Sequence, residues 1–175
     1  YQPVILEKLP SLSDGDAMIN SVTVAEGDLV ALGGAPGTLT VGDMIRPPGC
    51  RVADCEVEYE GGEVEMDQME VSFTLLPGLM FSDGEPLTTA DSVYTFNLVA
   101  DPDTPASKYT TDRTASYEAV DDLTVVWKGL PGYIDASYYI NFWPPYPEHL
   151  WGQYTALELL EADESSQRPI GWGPY

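Results

Sequence analysis

The run Met69-Glu70-Val71-Ser72-Phe73-Thr74-Leu75 alternates apolar and polar side chains, the period of a strand with one face in a core and the other in water. The residues immediately after it decide the fold. Pro77-Gly78 turns the chain, Leu79-Met80-Phe81 is a short apolar return, and Ser82-Asp83-Gly84 turns it again. Thr88 then precedes Asp91 by the spacing of a capping box, and Val93, Phe96 and Ala100 come at helical intervals until Asp101-Pro102 stops the helix. A half-buried strand, a double turn and a capped helix predict a sheet with a helix laid against it.

Outward from this segment the same grammar repeats. Ser116–Val120 and Leu123–Trp127 flank Asp121-Asp122 and predict a hairpin with Leu123, Val125 and Trp127 on one face. Thr155 and Glu158 form a second capping pattern before Ala156, Leu159 and Leu160. Upstream, Val22-Thr23-Val24 and Leu29-Val30 are strand candidates, with turns at Gly33–Gly37 and Pro47-Pro48-Gly49. Glu56–Glu60 and Glu63–Asp67 read as two strands around Gly61-Gly62. That register sets Tyr59 against Val64 and Val57 against Met66, but also Glu58 against Glu65 and Glu56 against Asp67. Like charges directly opposite are unfavourable, so a shifted register, solvent screening or a hard cation such as Ca²⁺ would have to relieve them. Strands outnumber helices and short turns join them, which predicts an α+β fold with a largely antiparallel or mixed β-sheet and a few helices.

The 175 residues suffice for one domain with a real core, and 1–175 is read as a single unit. Seven Lys+Arg against 29 Asp+Glu give a formal net charge of −22, which argues against nucleic acid or an anionic membrane surface as a partner. Eleven Tyr, four Trp and four Phe supply the apolar area that disordered chains lack. The chain opens on Tyr1 and closes on Gly171-Trp172-Gly173-Pro174-Tyr175, a turn that ordinarily leads into more structure; we read it as a piece of a longer protein without its targeting and anchoring segments.

The stretch Val71–Val93, with Phe81-Ser82-Asp83-Gly84, Pro86-Leu87-Thr88 and Ala90-Asp91-Ser92-Val93, resembles the signature region of family 5 extracellular solute-binding proteins, the substrate-binding components of bacterial ABC importers. Ser92 stands where the family pattern has a second Asp, and Leu76-Pro77 where it often has a basic residue. Tyr117–Val125 is similar to the family's "VEAVDDYTV", Phe142–Trp151 to "FWPILPKHIW", and Pro169–Tyr175 to "PVGTGPY" with Trp172 for Thr. Residues 13–68 fit less well and read as an acidic insertion. The resemblance implies one subdomain of a two-lobed periplasmic-binding-protein-like fold that closes by a hinge on a peptide or other small solute and is read by a membrane permease. It also implies an extracytoplasmic location, periplasmic or anchored at the cell surface as a lipoprotein, no catalysis, and no cofactor or resident metal. Most of the gripping surface would belong to the remaining lobes.

Within that frame, a Tyr soon after the family's "DPxT" segment approaches the cleft in peptide-binding members, which points to Tyr109 after Asp101-Pro102-Asp103-Thr104. Arg113 is a second ligand-proximal candidate, its plain alternative being a salt bridge to a nearby acid. Among the clustered aromatics, Trp143 and Tyr146 are candidates for lining the cleft, the alternative being core packing and a docking face for the missing lobes. Cys50 and Cys55 read as a local disulfide in an exported protein, with a metal pair as the weaker alternative. His149 reads as structural, without a nucleophile elbow to accompany it. Competing functions are a secreted carbohydrate-active enzyme using a carboxylate pair such as Asp121-Asp122, and a calcium-dependent surface interaction domain at the acidic hairpin.

Overall fold

The structure, a computed structural model, describes residues 4–172. Gly173-Pro174-Tyr175, the end of the last family-like segment, lies outside the described residues. The main sheet has four antiparallel strands in the order β1-β6-β8-β7: β1 is Ala17–Val24, β6 Val64–Thr74, β7 Thr114–Ala119 and β8 Thr124–Gly129. Helix α1, Thr89–Ala100, packs on one face. Two two-stranded sheets, β2 (Leu29–Leu32) with β3 (Ala35–Thr38) and β4 (Met44–Ile45) with β5 (Val57–Glu58), sit beyond the β1–β6 end. Three short helices close the described chain: α2 (Glu148–Trp151), α3 (Ala156–Leu159) and α4 (Asp163–Ser166). The α+β, antiparallel architecture is the one the sequence pattern predicts.

Strand β6 is its spine. Met69, Val71, Phe73 and Leu75 are buried while Glu70, Ser72 and Thr74 are half-buried, so the alternation holds. The Gly61-Gly62 hairpin does not form. Val64–Asp67 continue directly into β6 and pair with β1, while Val57-Glu58 pair with Met44-Ile45. The reason is electrostatic. Instead of facing another acid, Glu65 lies opposite Thr23 and accepts hydroxyl hydrogen bonds from Ser21 at 2.5 Å and Thr23 at 2.6 Å. Asp67 receives Arg51 and the Gly49 N–H, each at 2.7 Å, and Glu56 receives Arg46 at 2.9 Å. Three of the four acids of the expected ladder thus have separate partners, and the fourth, Glu58, is exposed opposite Met44.

Because β1 and β6 pair in register out to Val24 opposite Val64, residues 25–63 leave and re-enter the main sheet at one point. This excursion has its own small core, in which Val30, Leu39, Ile45 and Tyr59 meet Val24 and Met66. Its turn at Gly33-Gly34 is tighter than the five-residue turn expected there, since Ala35-Pro36-Gly37 belong to β3. Cys50 and Cys55 are joined by a disulfide within it.

Helix α1 starts on the expected capping box and stops at Asp101. Its inward face is mixed where the spacing predicts an apolar one: Val93 and Phe96 pack against the core as expected, joined by Val99, but Ser92 and Thr95 are buried and Ala100 is exposed. Buried hydroxyls are tolerated because each is bonded, Thr95 Oγ1 to Asp91 O at 2.9 Å and Ser92 Oγ to Trp143 O at 2.5 Å. On α3 the second capping box is present, with Ala156 and Leu159 buried but Leu160 55% exposed.

The segments that carry the family resemblance meet in space. The Thr89 N–H bonds Asp122 O across to the β7–β8 turn at 3.0 Å. His149 Nε2 lies 2.8 Å from Asp83 Oδ2 with its ring 5.4 Å from that of Phe81. The Ser82 N–H bonds Gly171 O at 2.8 Å, and Trp172 Nε1 bonds Pro145 O at 2.9 Å.

Candidate functional site

The sequence candidates fall into two surface sites and one core position. Trp143 is the core position. It is 9% exposed, and its ring makes edge contacts with Phe96 and Tyr117 at 4.8 and 4.7 Å. Tyr146, three residues on, is 41% exposed; its N–H is fixed by Thr95 Oγ1 at 2.9 Å and its ring lies tilted against that of Trp151, centroids 4.9 Å apart. It borders a cleft of about 340 Å³ whose walls are Pro145, Trp151, Pro169, Ile170, Gly171 and Trp172. Proline rings and indoles make this wall apolar, and the buried Trp151 indole N–H has no hydrogen-bond acceptor among the described residues.

Tyr109 and Arg113 form the other site. The loop that carries them is fixed from α1: the Lys108 ammonium bonds the carbonyls of Val99, Asp101 and Thr104, while Lys108 O accepts the Asp112 N–H and the Thr111 hydroxyl. A cation at a helix C-terminus also suits the dipole there. Tyr109 is 59% exposed, and the Arg113 guanidinium carbon lies 3.9 Å from the centroid of its ring. The salt bridge weighed as the alternative for Arg113 is not formed among the described residues. Arg113 Nε donates to Gly34 O at 2.8 Å and its Nη1 to Tyr109 O at 2.9 Å. Tyr133 stands 6.0 Å from the same guanidinium, its phenol pushed up by burial and by the charge of Asp135. Gly34 and Tyr133 were not legible as site residues, because nothing local in the sequence links the β2–β3 turn to a side chain 79 positions away.

Of the residues considered for chemistry, Asp121 and His149 make bonds that hold local structure. Asp121 Oδ1 accepts the N–H groups of Leu123 and Thr124, both at 2.8 Å, which holds its carboxyl below the usual range. The bond from His149, with that from the Glu85 N–H, likewise lowers Asp83. Among the described residues, no group of three or more His, Cys, Asp or Glu side chains is placed to hold a metal ion. None of their helices is long and apolar enough to cross a membrane.

Residues 58–175 match the family described as bacterial extracellular solute-binding proteins, family 5 Middle. Protein XP55 of Streptomyces lividans is 33% identical over 114 residues, covering 65% of this chain and 20% of that protein. The oligopeptide-binding protein AppA of Bacillus subtilis is 31% identical over 108 residues, covering 56% of this chain and 18% of its own. The solved periplasmic oligopeptide-binding protein of an oligopeptide ABC transporter from Thermotoga maritima matches with a TM-score of 0.51 and 30% identity, over 61% of this chain and 20% of that one. The chain therefore spans about a fifth of the length of these relatives.

Proposed function

The chain belongs to family 5 of the bacterial extracellular solute-binding proteins, and from that premise we propose that it is one subdomain of the substrate-binding component of an ABC importer for peptides or similar small solutes. The observation that carries this reading is the convergence of the four family-like segments into joints between helix, hairpin and the turns that follow β6, rather than into a group of reactive side chains around a closed pocket. Such joints make a rigid plate. The exposed Tyr109–Arg113 pair and the cleft beside Tyr146 are its accessible features, and both suit contact with a solute or with neighbouring lobes.

In this reading the protein is not an enzyme. It works outside the cytoplasm, periplasmic or lipid-anchored at the cell surface, its lobes closing by a hinge and a permease recognising the closed form. Two relatives are named for oligopeptide binding, which makes peptides the first solutes to try. The test compares the longest natural polypeptide containing these residues with the 175-residue chain alone, by thermal shift against an oligopeptide pool. We expect the long form to gain stability with peptide, and the short form to melt cooperatively without a shift. Equal shifts in both, or hydrolysis of aryl glycosides by the short form, would overturn the proposal.

A further inference from the structure

Resting on the reading above, we propose that Arg113 receives the carboxylate of the solute, that the β2–β3 turn holds it ready to do so, and that the preferred ligands are peptides with a free C-terminal carboxylate. The first observation is a census of the bases. Lys8 pairs with Asp14 and Asp16, Arg46 with Glu56, Arg51 with Asp67, Lys128 with Glu70 and Arg168 with Asp163. Lys108 donates to three carbonyls at and just beyond the end of α1. Among the described residues, Arg113 takes part in none of the ion pairs, although the chain carries 29 acids against seven Lys and Arg. In such surroundings a guanidinium without a carboxylate is the exception.

The second observation is that this guanidinium is held and not merely exposed. Carbonyl bonds from Nε and Nη1 fix its plane, and the Tyr109 ring supports it from one side. Those bonds use two of its five N–H donors and leave its charge uncompensated, since carbonyls are neutral. The remaining donors sit on the two terminal nitrogens, the fork that matches the two oxygens of a carboxylate. Ordering the arginine beforehand removes part of the entropy cost that binding would otherwise carry.

The net charge of −22 narrows the ligand class. Free anions are repelled by such a field, whereas a peptide brings an ammonium group along with its carboxylate and is tolerated. Gly34 supplies the holding carbonyl from a turn at φ +85°, on an excursion that lies upstream of the family-matched residues apart from its last few. The excursion thus adds a specificity element to a plate of common design.

The test uses a random pentapeptide pool made in two forms, C-terminal acid and C-terminal amide, offered to the longest natural polypeptide containing these residues, with retained peptides quantified by mass spectrometry. The expected result is retention of the acid form over the amide by about tenfold or more, the scale of a charge-assisted hydrogen bond. Arg113→Gln should erase the preference, and Arg113→Lys should restore part of it, because it keeps the charge but loses the fork. Gly34→Val, which strains a left-handed turn and shifts its carbonyl, should reduce the preference without abolishing retention. Equal retention of acid and amide overturns the Arg113 assignment while leaving the receptor reading intact, as does an unchanged preference in Arg113→Gln. Retention of neither form removes the peptide reading and this inference with it.

Discussion

Ser92 Oγ gives its one proton to the Trp143 carbonyl at 2.5 Å, so the Tyr117 hydroxyl 2.7 Å away must donate to Ser92 while accepting from the Trp143 N–H at 3.3 Å. The ring is closed and neutral. Burial pushes the Tyr117 phenol up, so the ring stays neutral across the physiological range. Ser92→Ala would strand the buried Trp143 carbonyl, and we expect it to cost about 1–3 kcal/mol in urea denaturation. Asp83 gives a second test at this scale. Its carboxyl is held low by His149 and the Glu85 N–H, so its contribution to stability is full above the ordinary carboxylate range, near pH 4, and fades as pH falls through the lowered folded value. In thermal melts from about pH 7 to about pH 2, the difference between wild type and Asp83→Asn should therefore shrink toward zero at the acid end. The sequence marks His149 as structural but names neither its partner nor that of Ser92. The partners lie 66 and 51 residues away, beyond any local pattern.

At the level of elements, legibility tracked how local the decision was. The alternation of β6, the capping box of α1 and the β7–β8 hairpin each depend on neighbours within a dozen residues, and each is where the pattern predicts. The acidic hairpin failed because strand pairing is a competition among distant partners. Val64–Asp67 had Ser21 and Thr23 hydroxyls available on β1, and those suit Glu65 better than a facing Glu58. The Tyr109–Arg113 neighbourhood was half legible: four residues apart in sequence, the pair could be suspected, but the Gly34 carbonyl that orients it could not. The two cores meet at Gly132, whose N–H bonds Asp67 O at 2.7 Å beside the bond from the Ala31 N–H to Pro131 O at 2.8 Å. A Cβ there would lie 2.6 Å from Met66 Cε and 3.0 Å from Ala31 O, at a φ of +85°. Gly132→Ala should accordingly destabilise by about 1–3 kcal/mol in chemical denaturation, from a backbone strain that only glycine escapes.

For the whole molecule the governing electrostatic feature is the charge of −22, spread over a chain with few bases to offset it. Salt screens such self-repulsion, with a Debye length of about 10 Å at 0.1 M and 3 Å at 1 M. The melting temperature should therefore rise between about 10 mM and 1 M sodium chloride. A flat or falling profile would mean that the carboxylates are already neutralised within the fold. The excursion over residues 25–63 has a broader implication. Since Val24 and Val64 face each other as ladder partners, its two ends are side by side, and a short turn between them would complete the same hairpin. The segment is in effect a cassette: lineages could trade it for another loop without rethreading the sheet, provided that Val24 and Met66 regained an apolar cover. Selectivity could then evolve by swapping the graft while the plate beneath stayed as it is.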